Sequence, residues 1–199
     1  MQKMVEKRGG KMIIKNLYKN FASKNIFNNT TIEFKDNKVT FITGESGIGK
    51  TTLLRIIAGL DKNFKGEIIT NNEKISYVFQ EPRLFPNLNV EENIKIVAED
   101  SKCEIKDILE LVELSNEIYA LPSSLSGGMK MRIALARALY SNGDVYLMDE
   151  PFSALDDDTK GRILPKIFEF LKGKTVIIVS HNIDEAKKYG DNIINLNNI

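Results

Sequence analysis

Apolar positions in this chain come in short runs whose period changes along its length. From Met12 to Phe34 they alternate with polar positions well enough for two strands, residues 12–17 and 30–34, since side chains two apart share one face of a pleated strand. Polar residues fill the interval, with Phe21 near the end of the first strand. Lys35-Asp36-Asn37-Lys38 reads as a turn into the strand-like run Val39-Thr40-Phe41-Ile42. A helical run follows at residues 52–60 and another strand-like run at 75–79. From Pro82 to Asn142 the spacing is helical. Ile105, Ile108, Leu109 and Val112 share one helix face and predict core packing, and Asn89 followed by Glu92 predicts a capping box that opens a short helix. After Gly143 strand-like runs, 145–148 and 175–179 among them, alternate with helical stretches, the pattern of a parallel sheet with right-handed crossovers. There is no internal repeat and no long linker.

A chain of 199 residues is long enough for one large α/β domain with a substantial core. Its net charge of +1 gives no field that argues for nucleic acid. The single cysteine, Cys103, cannot form an intrachain disulfide, which fits a reducing compartment. The apolar runs are strand-sized, far short of the roughly 18 residues a spanning helix needs. Any work at a membrane therefore requires something else to hold the chain there. Residues 1–11 are charged and aperiodic and lack the apolar core of a signal peptide. They are expected to form a disordered leader outside a domain spanning 12–199, with Met12 as the natural start.

The candidate chemistry begins at Gly44-Glu45-Ser46-Gly47-Ile48-Gly49-Lys50-Thr51, which matches G-x-x-x-x-G-K-[ST] between a strand and a helix. In that motif successive backbone N–H groups face phosphate and the lysine reaches the terminal phosphates. Thr51 supplies the hydroxyl expected to ligate Mg²⁺. Asp149 ends the apolar strand run Val145-Tyr146-Leu147-Met148, and a carboxylate there needs a cation or donors. Mg²⁺ is the natural partner. Glu150, next to it, is the candidate general base for water. Ser126-Gly127-Gly128 opens a helix and forms a second anion site from a hydroxyl, glycine N–H groups and a helix N-terminus.

Gln80 after the strand 75–79, Leu125-Ser126-Gly127-Gly128-Met129, Asp149-Glu150, Ser153-Ala154-Leu155-Asp156 and His181, the only histidine, follow the glycine loop in that order. The ordered set resembles the ATP-binding cassette (ABC) ATPases, over about residues 12–196. The resemblance implies an α/β fold of the P-loop NTPase type with a mostly parallel central sheet, an N-terminal antiparallel β subdomain and a helical subdomain inserted at about 82–142. It implies Mg²⁺-dependent ATP hydrolysis, with ATP and Mg²⁺ bound by residues 44–51. It also assigns Thr52 to an α-phosphate oxygen, Gln80 to Mg²⁺ and the attacking water, and His181 to the γ-phosphate. Phe21 matches the aromatic that stacks on adenine, a role Phe27 or Phe34 could also fill. By the same resemblance two subunits pair head to tail. Ser126, Gly127 and Gly128 of one then close on ATP held by the other, with Asp156 in a loop crossing the seam. Met129 departs from the commoner glutamine, while Ser126 and Gly128 are intact.

Residues 80–94 resemble the segment found in importers of the nitrate, sulfonate, taurine and thiamine-precursor group. There the segment receives a coupling helix of the integral permease, and Leu84, Phe85 and Leu88 would line the groove; core packing is the alternative for those three side chains. The implied protein is peripheral, at the cytoplasmic face of a membrane, contacts an extracellular solute-binding protein only indirectly, and binds no nucleic acid. An exporter or lipoprotein-release cassette shares every catalytic motif. Non-transport cassettes of DNA repair or translation fit less well, because one short P-loop unit leaves no room for their coiled coils, zinc modules or fused second cassette. Intact Lys50, Asp149, Glu150 and His181 argue against a cassette that binds without turnover.

Overall fold

The computed structural model describes residues 3–6, 11–21, 24–71, 73–98 and 103–199. Its centre is a five-stranded sheet in the order β6 (Ile75–Val78), β7 (Val145–Asp149), β8 (Thr175–Val179), β4 (Val39–Thr43) and β9 (Asn192–Asn195). Every pairing in it is parallel. β7 and β8 are buried at every position, as strands covered on both faces must be. Their side chains alternate between two cores. Val145, Leu147, Ile177 and Val179 join the N-terminal sheet and the helix α1 (Lys50–Ile57). Tyr146, Met148, Val176 and Ile178 join the helical region and α5 (Asp157–Phe170).

The second sheet has the order β1 (Lys3–Glu6), β5 (Lys65–Thr70), β2 (Lys11–Phe21) and β3 (Lys24–Lys35). β2 is antiparallel to both its neighbours, while β1 runs parallel to β5. α1 shares a core with this sheet on one side and with the parallel sheet on the other, through fully buried Leu53, Leu54 and Ile56. The inserted helices are α2 (Val90–Lys95), α3 (Ile105–Leu111) and α4 (Gly127–Tyr140). Asn89 and Glu92 form the expected reciprocal capping box. Ile105, Ile108, Leu109 and Val112 are all core residues. No helix among the described residues is long and apolar enough to cross a membrane.

Three expectations need correction. Lys3–Glu6 pair with Glu67–Thr70 along β5, and Lys11 opens β2, so these residues are part of a sheet rather than a leader outside the fold. Residues 1, 2 and 7–10 lie outside the described residues. The two early strands run to Phe21 and from Lys24, beyond the predicted 12–17 and 30–34, because backbone pairing continues through polar positions across register shifts between Ile14 and Asn20. α1 ends at Ile57 and not at residue 60, where Gly59 takes φ 70° and turns the chain out of the helix.

Candidate active site

β4 delivers the chain into the glycine loop, and α1 starts at Lys50 directly after Gly49. Gly49 has φ 117°, and a Cβ there would lie 2.5 Å from Ile26 Cγ2 and 3.0 Å from a Phe27 ring carbon. Only glycine lets β3 approach the loop this closely. No side chain caps the first turn of α1, which leaves its N–H groups facing the cleft. Lys50 Nζ donates to Gly44 O at 2.8 Å and Glu45 O at 2.9 Å. Burial lowers the Lys50 pKa, opposed by the charges of Glu150 and Asp149. The loop is also braced from the far end of the chain, where Asn197 Oδ1 accepts from the Glu45 N–H at 3.1 Å.

Asp149 ends β7 and is almost fully buried. It accepts from Thr51 Oγ1 at 3.0 Å. Burial raises its pKa against the opposing pull of Thr51, Lys50 and Arg55. Glu150 follows with φ 49°, and its N–H donates to Val179 O at 3.0 Å. Its Oε1 is buried and makes no hydrogen bond, but His181 Nε2 lies 3.2 Å away, a contact that becomes an ion pair when the ring is protonated. Burial raises the Glu150 pKa too, with His181 and Lys50 pulling it down. His181 leaves the end of β8 on a loop fixed by Ser180, whose hydroxyl accepts from the Asn182 N–H at 3.0 Å. Asn182 in turn caps the helix α6 (Ile183–Tyr189).

Phe21, Ser46, Gly47, Gly49, Lys50, Thr51, Thr52, Gln80, Asp149, Glu150 and His181 all line one cleft of about 320 Å³. Residues that lie up to 160 positions apart in the sequence therefore meet where strands β4, β6, β7 and β8 end, the position expected for ligands of open parallel sheets. The cleft also contains Lys24, Ile26 and Val179, which the sequence did not single out. Lys24 Nζ donates to Gly47 O at 2.9 Å. Its signal was hidden in a polar stretch with no motif.

Ser126, Gly127, Gly128 and Asp156 do not line this cleft. Ser126 caps α4, its Oγ accepting from the Met129 N–H at 3.2 Å. Gly128 packs against Ala154, since a Cβ on it would sit 3.0 Å from Ala154 O. Asp156 caps α5 and accepts from the N–H and hydroxyl of Thr159, bonds that hold its carboxyl below the ordinary value. In one copy of the chain the Ser126 turn therefore lies apart from the glycine loop. Arg137 of α4 donates to Pro82 O at 2.9 Å and Arg83 O at 3.0 Å, just beyond Gln80.

A family model for the ABC transporter matches residues 27–153. The chain belongs to the ABC transporter family. It is the ATP-binding, ATP-hydrolysing cassette of that family. Among curated proteins it is 38% identical over 181 residues to the aliphatic sulfonates import ATP-binding protein SsuB 2 of Pseudomonas syringae pv. tomato, covering 88% of this chain and 78% of that protein. It is 43% identical over 178 residues to SsuB of Bacillus cereus, covering 82% and 71%. Among solved structures, the dimeric bacterial ABC transporter cassette MJ0796 superposes with a TM-score of 0.83 at 29% identity, over 92% of this chain and 93% of that one. The same cassette in a post-hydrolysis dimer with ADP and Pi gives a TM-score of 0.81 at 30% identity, with the same coverage.

Proposed function

We propose that this cassette energises a small-solute importer from the cytoplasmic face of a membrane, as a head-to-tail dimer bound to an integral permease. The single observation that carries the catalytic half is the meeting of Lys50, Thr51, Asp149, Glu150, Gln80 and His181 in one cleft. The importer half is supported by relatives whose names describe ATP-binding proteins for import of aliphatic sulfonates or of Fe(3+) ions, the latter in Haemophilus influenzae at 36% identity.

The donors near Lys50 fit Mg²⁺. The Thr51 hydroxyl and a buried Asp149 oxygen stand 3.0 Å apart, and Gln80 adds an amide oxygen. All are hard oxygen donors, and a buried carboxylate with a raised pKa is a site short of positive charge. Thr51, Asp149 and Gln80 would hold the ion, which supplies charge neutralisation on the β- and γ-phosphates. Lys50 and the loop N–H groups bind and align the triphosphate. Glu150 accepts the proton of a water as its oxygen bonds to the γ-phosphorus. The bond to the β–γ bridging oxygen breaks, and ADP and phosphate leave. His181, beside Glu150, orients that water and the γ-phosphate.

The docking surface has one exposed anchor. Phe85 is 49% exposed, while Leu84 packs against the core. Asn93 is fully buried and fixes the loop before α2. Its side chain accepts from the Phe85 N–H and donates to the carbonyls of Phe85, Leu88 and Asn89. Tyr119 and Leu121, both exposed, flank a segment bonded to the start of α2 through Ala120 O and Ile118 O. Apolar area of this kind on a rigid loop suits a protein partner.

The test of the catalytic assignment is phosphate release by Glu150→Gln. Turnover should fall by roughly 10²–10⁴-fold, the worth of a general base, with Mg–ATP affinity retained. Unchanged turnover would remove Glu150 from this role.

A further inference from the structure

Lys19 lies on β2 two residues before Phe21, where alternation places both side chains on one face of the strand. The residue is only 3% exposed, and an ammonium is costly to withdraw from water unless it is paired and hydrogen-bonded. Its partners are specific. Lys19 Nζ donates to Asn63 O at 2.7 Å and to Asp61 Oδ1 at 2.9 Å, with Asp61 Oδ2 at 2.8 Å. Partial burial acts to raise the Asp61 pKa. The bonds from Lys19 and from the Asn63 N–H outweigh it and hold the carboxyl below its ordinary value. Asp61 and Asn63 sit in the loop that leaves α1, so the clamp joins the exit of the P-loop helix to β2.

The clamped ammonium stands 4.5 Å from the centroid of the Phe21 ring, within cation–π range. Phe21 is half-exposed and lines the nucleotide cleft. Lys19 does not line that cleft; it faces a separate surface hollow with Tyr18 and Phe64. The ring is thus backed by a fixed cation outside the cleft and presented to the ligand inside it. A phenylalanine at the end of a strand would otherwise be free to turn about its side-chain bonds.

We propose that Lys19 is a positioning residue for the nucleobase: clamped by Asp61 and Asn63, it fixes the Phe21 ring in the orientation that stacks on the purine of ATP. This rests on Phe21 being the stacking aromatic. Lys19 touches neither phosphate nor base, so its effect is confined to the base half of the ligand.

The experiment compares the affinities of the full chain for Mg–ATP and for Mg–tripolyphosphate, which has the phosphates without the base. Lys19→Met should weaken ATP binding about 2- to 5-fold, the worth of one cation–π contact, and leave tripolyphosphate binding unchanged. Phe21→Ala should weaken ATP binding about 5-fold or more, as loss of base stacking does, again sparing tripolyphosphate. Adding Lys19→Met to Phe21→Ala should change nothing further, since coupled residues fail to add. Three results overturn the proposal: no loss of ATP affinity in Lys19→Met, equal losses for ATP and tripolyphosphate, or full additivity with Phe21→Ala. Phe21→Ala binding ATP like the wild type would instead strike down the stacking assignment, and the proposal with it. Should Lys19→Met fail to fold, Asp61→Ala removes two of the contacts on the ammonium but keeps the cation. It should show a smaller loss for ATP alone, and wild-type ATP affinity there overturns the clamp.

Discussion

Glu150 holds a left-handed backbone conformation, φ 49°, that a side chain of its kind adopts only when its surroundings enforce it. The bond from its N–H to Val179 O supplies that enforcement, and the result is a carboxylate aimed into the cleft beside His181. Burial lifts its pKa above the ordinary 4.5, with His181 and Lys50 opposing. A general base works deprotonated, so hydrolysis should fall as pH drops through this raised pKa. The acid limb of kcat should therefore lie above pH 4.5. His181→Ala removes the largest opposing influence and should move the limb of the residual rate to still higher pH. A limb that moves down in His181→Ala contradicts the assignment. Asp149 shows the complementary cost. Its folded pKa is raised, chiefly by burial, so the native state binds the extra proton between the unfolded and folded values. Stability falls as pH rises through that window. Asp149→Asn removes the charge and should raise the melting temperature of the nucleotide-free chain at pH 7, by ~2–4 °C per 1 kcal/mol in a domain of this size. It should also abolish hydrolysis. A lower melting temperature would mean that the carboxylate is not an electrostatic burden.

At the scale of elements, the parts that were legible in the sequence are those whose signal is local. β4, the glycine loop and α1 announce themselves by an apolar run, glycines at fixed spacing and a helical run. β7 and β8 read as continuous apolar runs because both their faces are covered. Asp149, which ends β7, and His181, two residues past the end of β8, could be placed in the cleft from sequence position alone. What escaped depends on distant partners. The outer parts of β2 and β3 mix polar residues with Phe21, Ile26 and Phe27 across register shifts, so their sequence shows no regular alternation. The pairing of Lys3–Glu6 exists only because β5 offers an open edge. Lys24, Asn93 and Asn197 look like ordinary polar residues until the fold brings Gly47, Phe85 and Glu45 to them. Asn93 matters most for function, because it makes the loop carrying Phe85 rigid. Phe85→Asp therefore places a charge on the exposed anchor without disturbing the phosphate site. Basal hydrolysis should survive, whereas co-purification with a partner permease, and transport, should be lost. Equal recovery of the permease with both proteins would show that the loop is not a docking surface.

For the molecule as a whole, the proposed dimer turns on the separation of the glycine loop from the Ser126 turn, read as two anion-binding elements on different parts of one chain. The glycine loop lies at the end of the parallel sheet, and the Ser126 turn heads α4 in the helical region. A single copy does not bring them to one phosphate; on the proposed head-to-tail arrangement a second copy would supply what each lacks. The solved cassette MJ0796, which superposes over 92% of this chain, is dimeric. Arg137 ties the Ser126 helix to the backbone following Gln80, so in the proposed arrangement it would link the dimer seam to the docking loop. ATP on this account is bound between subunits and released by its own hydrolysis. The most direct measurement is the molar mass of Glu150→Gln by light scattering, with and without Mg–ATP. The nucleotide-free protein should have the monomer mass of 22.5 kDa, and saturating ATP should double it, with Ser126→Arg in the same background preventing the doubling. A Glu150→Gln protein that binds ATP and stays at the monomer mass would contradict the shared site.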